Sequence, residues 1–223
     1  MKGTAVRITS VVVAAAAALG LATAPSIAAP ATAPATVRVV VRAVTASGAP
    51  AAGFTAVAEP GATIDCSPAD PSPGAVDRNI EDCSPSAAYV PACWKAAAPH
   101  TALCLRDPSR KRLVRIALAG HFASTAPPTA AQRAPLLLVL TDGTRCSIRN
   151  GGAWSALPNH PQLYGTYSCD HHGVVWALAN AHHDGVNESA ASWTVRTAPM
   201  DGQPHALVTR HVRRAFFVGT ASG

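Results

Sequence analysis

"LLLVLTDGTRCSI", residues 136–148, decides the fold class. An Asp-Gly pair between two strand-like runs is the strongest short-range hairpin signal, because the tight turn that matches strand twist needs backbone at positive φ. Asp142 and Gly143 are therefore expected to form a primed turn with positive φ at both residues, and the returning strand carries Cys146. After a loop rich in Gly, Pro and Asn ("NGGAWSALPNHPQ", 150–162), "LYGTYSC" (163–169) reads as a further strand ending in Cys169. If the two strands are neighbours, these cysteines meet across them. Closing a loop of about two dozen residues then contributes on the order of 3 kcal/mol.

The same strand grammar recurs on both sides. "KRLVRIAL" (111–118), "PLLLVLT" (135–141), "VVWALA" (174–179), "SWTVRT" (192–197) and "HVRRAFFVG" (211–219) are short apolar or β-branched runs separated by turn residues. They predict a β-rich domain over 111–219, a small antiparallel sandwich or barrel. "RLVRIALAGHFA" (112–123) also satisfies helical spacing through Leu113, Ile116, Ala117 and Gly120, so the period alone leaves it open. The large aromatics Trp154, Tyr164, Tyr167, Trp176, Trp193, Phe216 and Phe217 fall in or beside these strands and are expected in the core.

Residues 63–110 hold Cys66, Cys83, Cys93 and Cys104 among many prolines, which predicts an irregular, disulfide-rich segment ahead of the β domain. "PACWKAAAP" (91–99) is read as one short helix between its prolines. Six cysteines allow fifteen pairings. Sequence order favours Cys66 with Cys83, Cys93 with Cys104 and Cys146 with Cys169, the last having the strand argument behind it; pairing of Cys146 or Cys169 with an upstream cysteine is the alternative. With no C-x-x-C spacing, neither a thioredoxin-type redox pair nor a paired-knuckle zinc site has its signature. Residues 29–62 read as an Ala/Pro/Thr-rich leader with a possible edge or docking strand at 37–44, "VRVVVRAV".

The amino terminus joins Lys2 and Arg7 to an apolar stretch, Val11 to Ala22, and a small-residue exit, "APSIAAPATAPA" (24–35). That is the layout of a secretory signal peptide, 1–28, with cleavage expected after Ala28 and Ala35 as the second candidate. The apolar run is too short to span a bilayer, which takes roughly 20 residues, and no transmembrane segment is expected after cleavage. The expected location is secreted, extracellular or in the cell envelope. There the compartment favours disulfides over thiols.

Removal of 28 of the 223 residues leaves 195, and the loss of two cations takes the formal charge from +6 to +4. The densest basic stretch, "RDPSRKRLVR" (106–115), carries no aromatic for base stacking and reads as a solvated turn entering a strand. No nucleic-acid partner is expected. An acidic envelope polymer, a lipid or another protein is the partner class an exported chain of this charge would meet.

Two histidine pairs, His171–His172 and His182–His183, flank the apolar run in "SCDHHGVVWALANAHHDG" (168–185), each beside an aspartate and a glycine. These four are the weak candidate metal ligands of the chain. "DHHG" reads as a four-residue hairpin loop with Gly173 in the left-handed position, and "HHDG" as a second turn, so the pairs belong at opposite ends of one strand. His171 and His182 are eleven residues apart, about 36 Å as a strand or 16 Å as a helix. Imidazole reaches only about 2 Å to zinc, so one shared ion is excluded unless the run reverses. One pair combining with His160, His205 or His211, or with Asp170 or Asp184, remains open.

There is no G-x-S-x-G elbow, no H-E-x-x-H and no phosphate loop, and no catalytic residue or cofactor is assigned. The glutamates are Glu59, Glu81 and Glu188, thin support for paired-carboxylate glycoside chemistry.

As a set, "CLRDP" (104–108), "LTDGTRCSIRNGGAW" (140–154), "GTYSC" (165–169), "SWTVRT" and "RRAFFVGTA" (213–221) resemble exported, signal-peptide-bearing actinobacterial proteins of uncharacterised function, over about residues 90–221. The resemblance implies export and carries over no catalytic residue. The reading that results is a secreted, disulfide-stabilised, non-enzymatic binding protein. Its alternatives are an unrecognised secreted hydrolase and a His-dependent metal-binding exported protein.

Overall fold

The computed structural model describes residues 33–68, 70–83, 90–149 and 156–222. The expected signal peptide, Trp154 and the start of the loop expected at 150–162 lie outside them. Among the described residues eleven strands are arranged in two sheets, and the fold is mainly β with an antiparallel barrel.

The barrel is built from β6 (Leu137–Leu140), β7 (Arg145–Ile148), β8 (Leu163–Cys169), β9 (Gly173–Leu178), β10 (Thr194–Pro199) and β11 (Val208–Ala221). Each pairs antiparallel with the next, and β11 closes the ring on β6 through Val212–Leu140 and Phe216–Leu137. Closure removes the open edges that a six-stranded sheet would expose. Residues opposite one another share a face, so Leu138, Cys146 and Cys169 line one wall of the interior, with Tyr167 and Val175 beside them. Tyr167 is fully buried and its hydroxyl donates to the Pro135 carbonyl at 2.9 Å.

The hairpin from β6 to β7 is where Asp142 and Gly143 place it, with a different turn. The Leu140 N–H donates the closing hydrogen bond to the Thr144 carbonyl at 2.8 Å, so the loop is the three residues Thr141 to Gly143, and only Gly143 takes positive φ, at 91°. A type I turn followed by a left-handed residue gives the same strand twist, and Asp142 stabilises it by accepting the Thr144 N–H at 2.9 Å.

β1 (Val37–Thr45) runs parallel to β11 as an added edge strand, in the position expected for 37–44. The second sheet has the order β2 (Thr55–Cys66), β5 (Arg112–Phe122), β4 (Thr101–Leu105), β3 (Ala92–Lys95). Three expectations change here. Residues 55–66 form a strand although 55–62 read as part of a leader and 63–66 as the start of the irregular segment, because parallel pairing to β5 supplies the hydrogen bonds that their Ala, Gly and Pro content does not advertise. "PACWKAAAP" supplies a strand in place of a short helix: a run this short cannot nucleate a helix alone, and Cys93 is the direct cross-strand partner of Cys104. "RLVRIALAGHFA" is a strand, and it belongs to this second sheet and not to the barrel. Among the described residues of the upstream block, irregular chain lies between β2 and β3 and in the turns after β3 and β4.

The three disulfides join Cys66 to Cys83, Cys93 to Cys104 and Cys146 to Cys169, the pairing that sequence order favours. One apolar cluster joins the sheets: Trp94, Leu103, Leu105 and Leu113 pack with Leu137, Val139 and Phe216 of the barrel. The opposite face of the second sheet buries Ile64, Ala102 and Ile116 with four half-cystines. Trp176, Trp193, Phe216 and Phe217 are buried as expected, but Tyr164 is 43 % exposed.

Candidate functional site

A barrel this narrow fills its own interior, so a ligand site belongs at an end. One end is open. There the ends of β6, β8 and β10 and the starts of β9 and β11 surround a pocket of about 240 Å3. Its walls are apolar, with Leu140, Ala198, Val208 and the Cys169 half of the inner disulfide. Its rim is polar, with Asp142, Asp170, His171 and Arg210. Arg210 approaches Asp142 at 3.3 Å, and Asp170 accepts the Arg145 N–H at 3.2 Å. The Thr144 N–H and hydroxyl, with Arg210, hold the Asp142 carboxyl below its ordinary value, so it stays charged at neutral pH.

The rim carries backbone strain. Gly173 was expected to be left-handed, yet its φ is −77°, and the positive φ values fall on His171 (60°) and His172 (63°). Gly173 is small for another reason: a Cβ there would meet the Cys169 Cβ at 3.3 Å. Histidine tolerates the left-handed region better than most residues but less well than glycine or asparagine. The chain therefore places the His171 imidazole at the mouth at an energetic cost, with His172 strained beside it and no side-chain hydrogen bond to either ring among the described residues.

The second pair does different work. His182 Nδ1 lies 3.2 Å from the Ala131 carbonyl and His183 Nδ1 2.7 Å from the Arg133 carbonyl, which ties the turn His182–Gly185 to the chain before β6. Thr166 adds a bond from its hydroxyl to the Asp184 carbonyl at 2.8 Å. Burial raises the Asp184 carboxyl, while His183 draws it back down. The two pairs sit on either side of β9, one before Gly173 and one after Leu178. Among the described residues, no three His, Cys, Asp or Glu side chains converge as a metal site.

His160, His205 and His211 join neither pair. His205 contacts Asp201 at 2.8 Å, and His211 Nδ1 lies 3.0 Å from the Ser192 hydroxyl. That serine–histidine contact is the nearest approach to an activated nucleophile; neither residue lines the mouth, and no carboxylate contact to His211 is found among the described residues. All six cysteines are in disulfides. The basic stretch forms a turn as expected, with Asp107 held between Arg110 at 3.1 Å and Arg145 at 3.0 Å.

No family model matches the chain, no curated protein matches its sequence and no solved structure matches its fold. Function therefore rests on the geometry.

Sequence reasoning missed the mouth itself. Asp142, Asp170 and Arg210 are scattered over almost seventy positions, and no local signal links them until the ring closes. The cue that was available is the pair of histidines in a tight turn, where Asn-Gly is the usual solution.

Proposed function

We propose that the chain is a secreted, non-enzymatic binding protein of the cell envelope or extracellular space, related to exported actinobacterial proteins, which takes a compact ligand group into the mouth of its barrel. Three disulfides fit an oxidising location, and among the described residues no helix is long and apolar enough to cross a membrane. The observation that carries the reading is the strained His171–His172 corner set on the rim of an apolar pocket beside the Asp142–Arg210 pair. Strain of this kind persists where the side chain is used. The pocket volume suits a single ring or short branched chain with one polar head, such as the exposed tip of a wall polymer, a lipid headgroup or a protein side chain.

A thermal-shift screen of wall fragments, lipid headgroups and peptides tests this. A ligand present at 100 times its Kd should add about 2.7 kcal/mol of stability. The shift should vanish in the double variant His171→Asn, Arg210→Ala. A shift that survives both changes refutes the mouth as the site.

The second reading, a hydrolase, draws on the Ser192–His211 contact. Ester hydrolysis that disappears in Ser192→Ala would establish it in place of the binding function.

A further inference from the structure

A larger cavity, of about 500 Å3, lies where the ends of β1, β3, β5 and β11 approach the irregular segment before Ile80. It shares no lining residue with the barrel mouth. Trp94 lines it and is 3 % exposed, and its Nε1–H is buried with no hydrogen-bond partner. A buried indole donor without an acceptor is a standing cost to the fold, and an acceptor brought by a ligand would recover it. Two cations, Arg78 and Lys95, also line the cavity, both exposed and neither in an ion pair among the described residues. Asp77, the carboxylate there, is already engaged, by Arg42 at 2.7 Å and by the Thr220 N–H at 2.8 Å. Asn79 is held at φ 61°, and its Oδ1 accepts the Ser124 hydroxyl at 2.9 Å, which leaves its amide N–H groups as further donors. Phe122 and Ala123 add an apolar wall.

The wall thus offers donors and positive charge with its one acidic group neutralised, and an aromatic side chain stands beside them. We propose that this cleft binds an acidic sugar unit of an extracellular polysaccharide. Its carboxylate or phosphate would sit against Arg78 and Lys95, and an oxygen of the ring or its substituents would accept from Trp94 Nε1. The volume fits one or two rings. The proposal does not depend on the reading of the barrel mouth.

Isothermal titration of the disulfide-intact protein with glucuronate, glucose 1-phosphate, neutral glucose and inorganic phosphate separates the outcomes. Both sugar acids are expected to bind, more weakly as salt rises, and neutral glucose is not. Trp94→Phe keeps the ring and removes the orphan donor. It should leave the melting temperature unchanged or higher while weakening both sugar acids roughly tenfold, the scale of one hydrogen bond from a donor that would otherwise stay buried and unpaired. Arg78→Ala with Lys95→Ala should abolish binding and leave the mouth variants' behaviour untouched. Undiminished binding by Trp94→Phe, inorganic phosphate bound as tightly as the sugar acids, a preference for anionic lipid vesicles over them, or no heat from either acid would each overturn the proposal.

Discussion

Thr36 Oγ1 accepts the Trp193 backbone N–H at 2.8 Å and donates to the Val212 carbonyl at 2.6 Å. That hydroxyl stands at the point where β10 ends its pairing with β11 and β1 takes over the same edge. It satisfies a donor and an acceptor that the change of partner would otherwise leave open. Both neighbours are buried, Trp193 at 7 % and Val212 at 0 % exposure.

Thr36→Val keeps the shape and removes both bonds. The expected loss is roughly 1–3 kcal/mol, measured as a shift in urea midpoint with unchanged slope. An unshifted midpoint would mean that the two Thr36 bonds contribute nothing at the junction where β11 passes from β10 to β1.

Cys146 and Cys169 are direct cross-strand partners separated by 23 residues in sequence. Replacing both with alanine should lower stability by about 3 kcal/mol through loop entropy and lost packing, read from thermal melts of the oxidised protein. Non-reducing peptide mapping of the natively purified protein should recover three separate linked pairs and no free thiol.

The two histidine pairs are expected to respond with opposite signs. His171→Asn with His172→Gly installs the turn pair suited to positive φ and should gain roughly 0.5–1 kcal/mol. His182→Ala cuts the contact to the Ala131 carbonyl without touching a positive-φ position and should lose roughly 0.5–1.5 kcal/mol. Paired melts under one buffer check the sign.

Burial, with a smaller contribution from the Asp70 charge, raises the Asp82 carboxyl to about 6, and burial also raises Glu81 despite the Thr125 hydroxyl that donates to it at 2.7 Å. Between the ordinary carboxylate value of 3.8 and about 6, the folded chain holds a proton at Asp82 that the unfolded chain has released. Stability from this group is therefore greatest in acid and falls as pH rises through that window. Asp82→Asn, neutral throughout, should gain roughly 1–3 kcal/mol at about pH 7.5 and nothing at about pH 4. Urea unfolding at both pH values decides it, and an equal gain at each would show that the charge is not the cause.

Several elements were legible in the sequence because their causes are local. Asp142 and Gly143 mark a turn wherever the chain goes, and "LYGTYSC" alternates buried and open positions over its whole length, so the meeting of Cys146 with Cys169 follows from two adjacent strands. The separation of the histidine pairs follows from the length of the run between them. What composition hid was the strand at 55–66, whose partner β5 lies some fifty residues away, and the strand around Cys93, which exists because Cys104 stands opposite.

Tertiary structure alone decided the ring closure of β11 on β6, the left-handed backbone at His171 and His172 in place of Gly173, and both cavities. Turn chemistry and side-chain alternation act over a few residues and can be read in order along the chain. A barrel mouth and an orphaned indole donor arise only when strands distant in sequence compete for the same hydrogen bonds and the same apolar contacts, and that competition is settled by the whole fold at once.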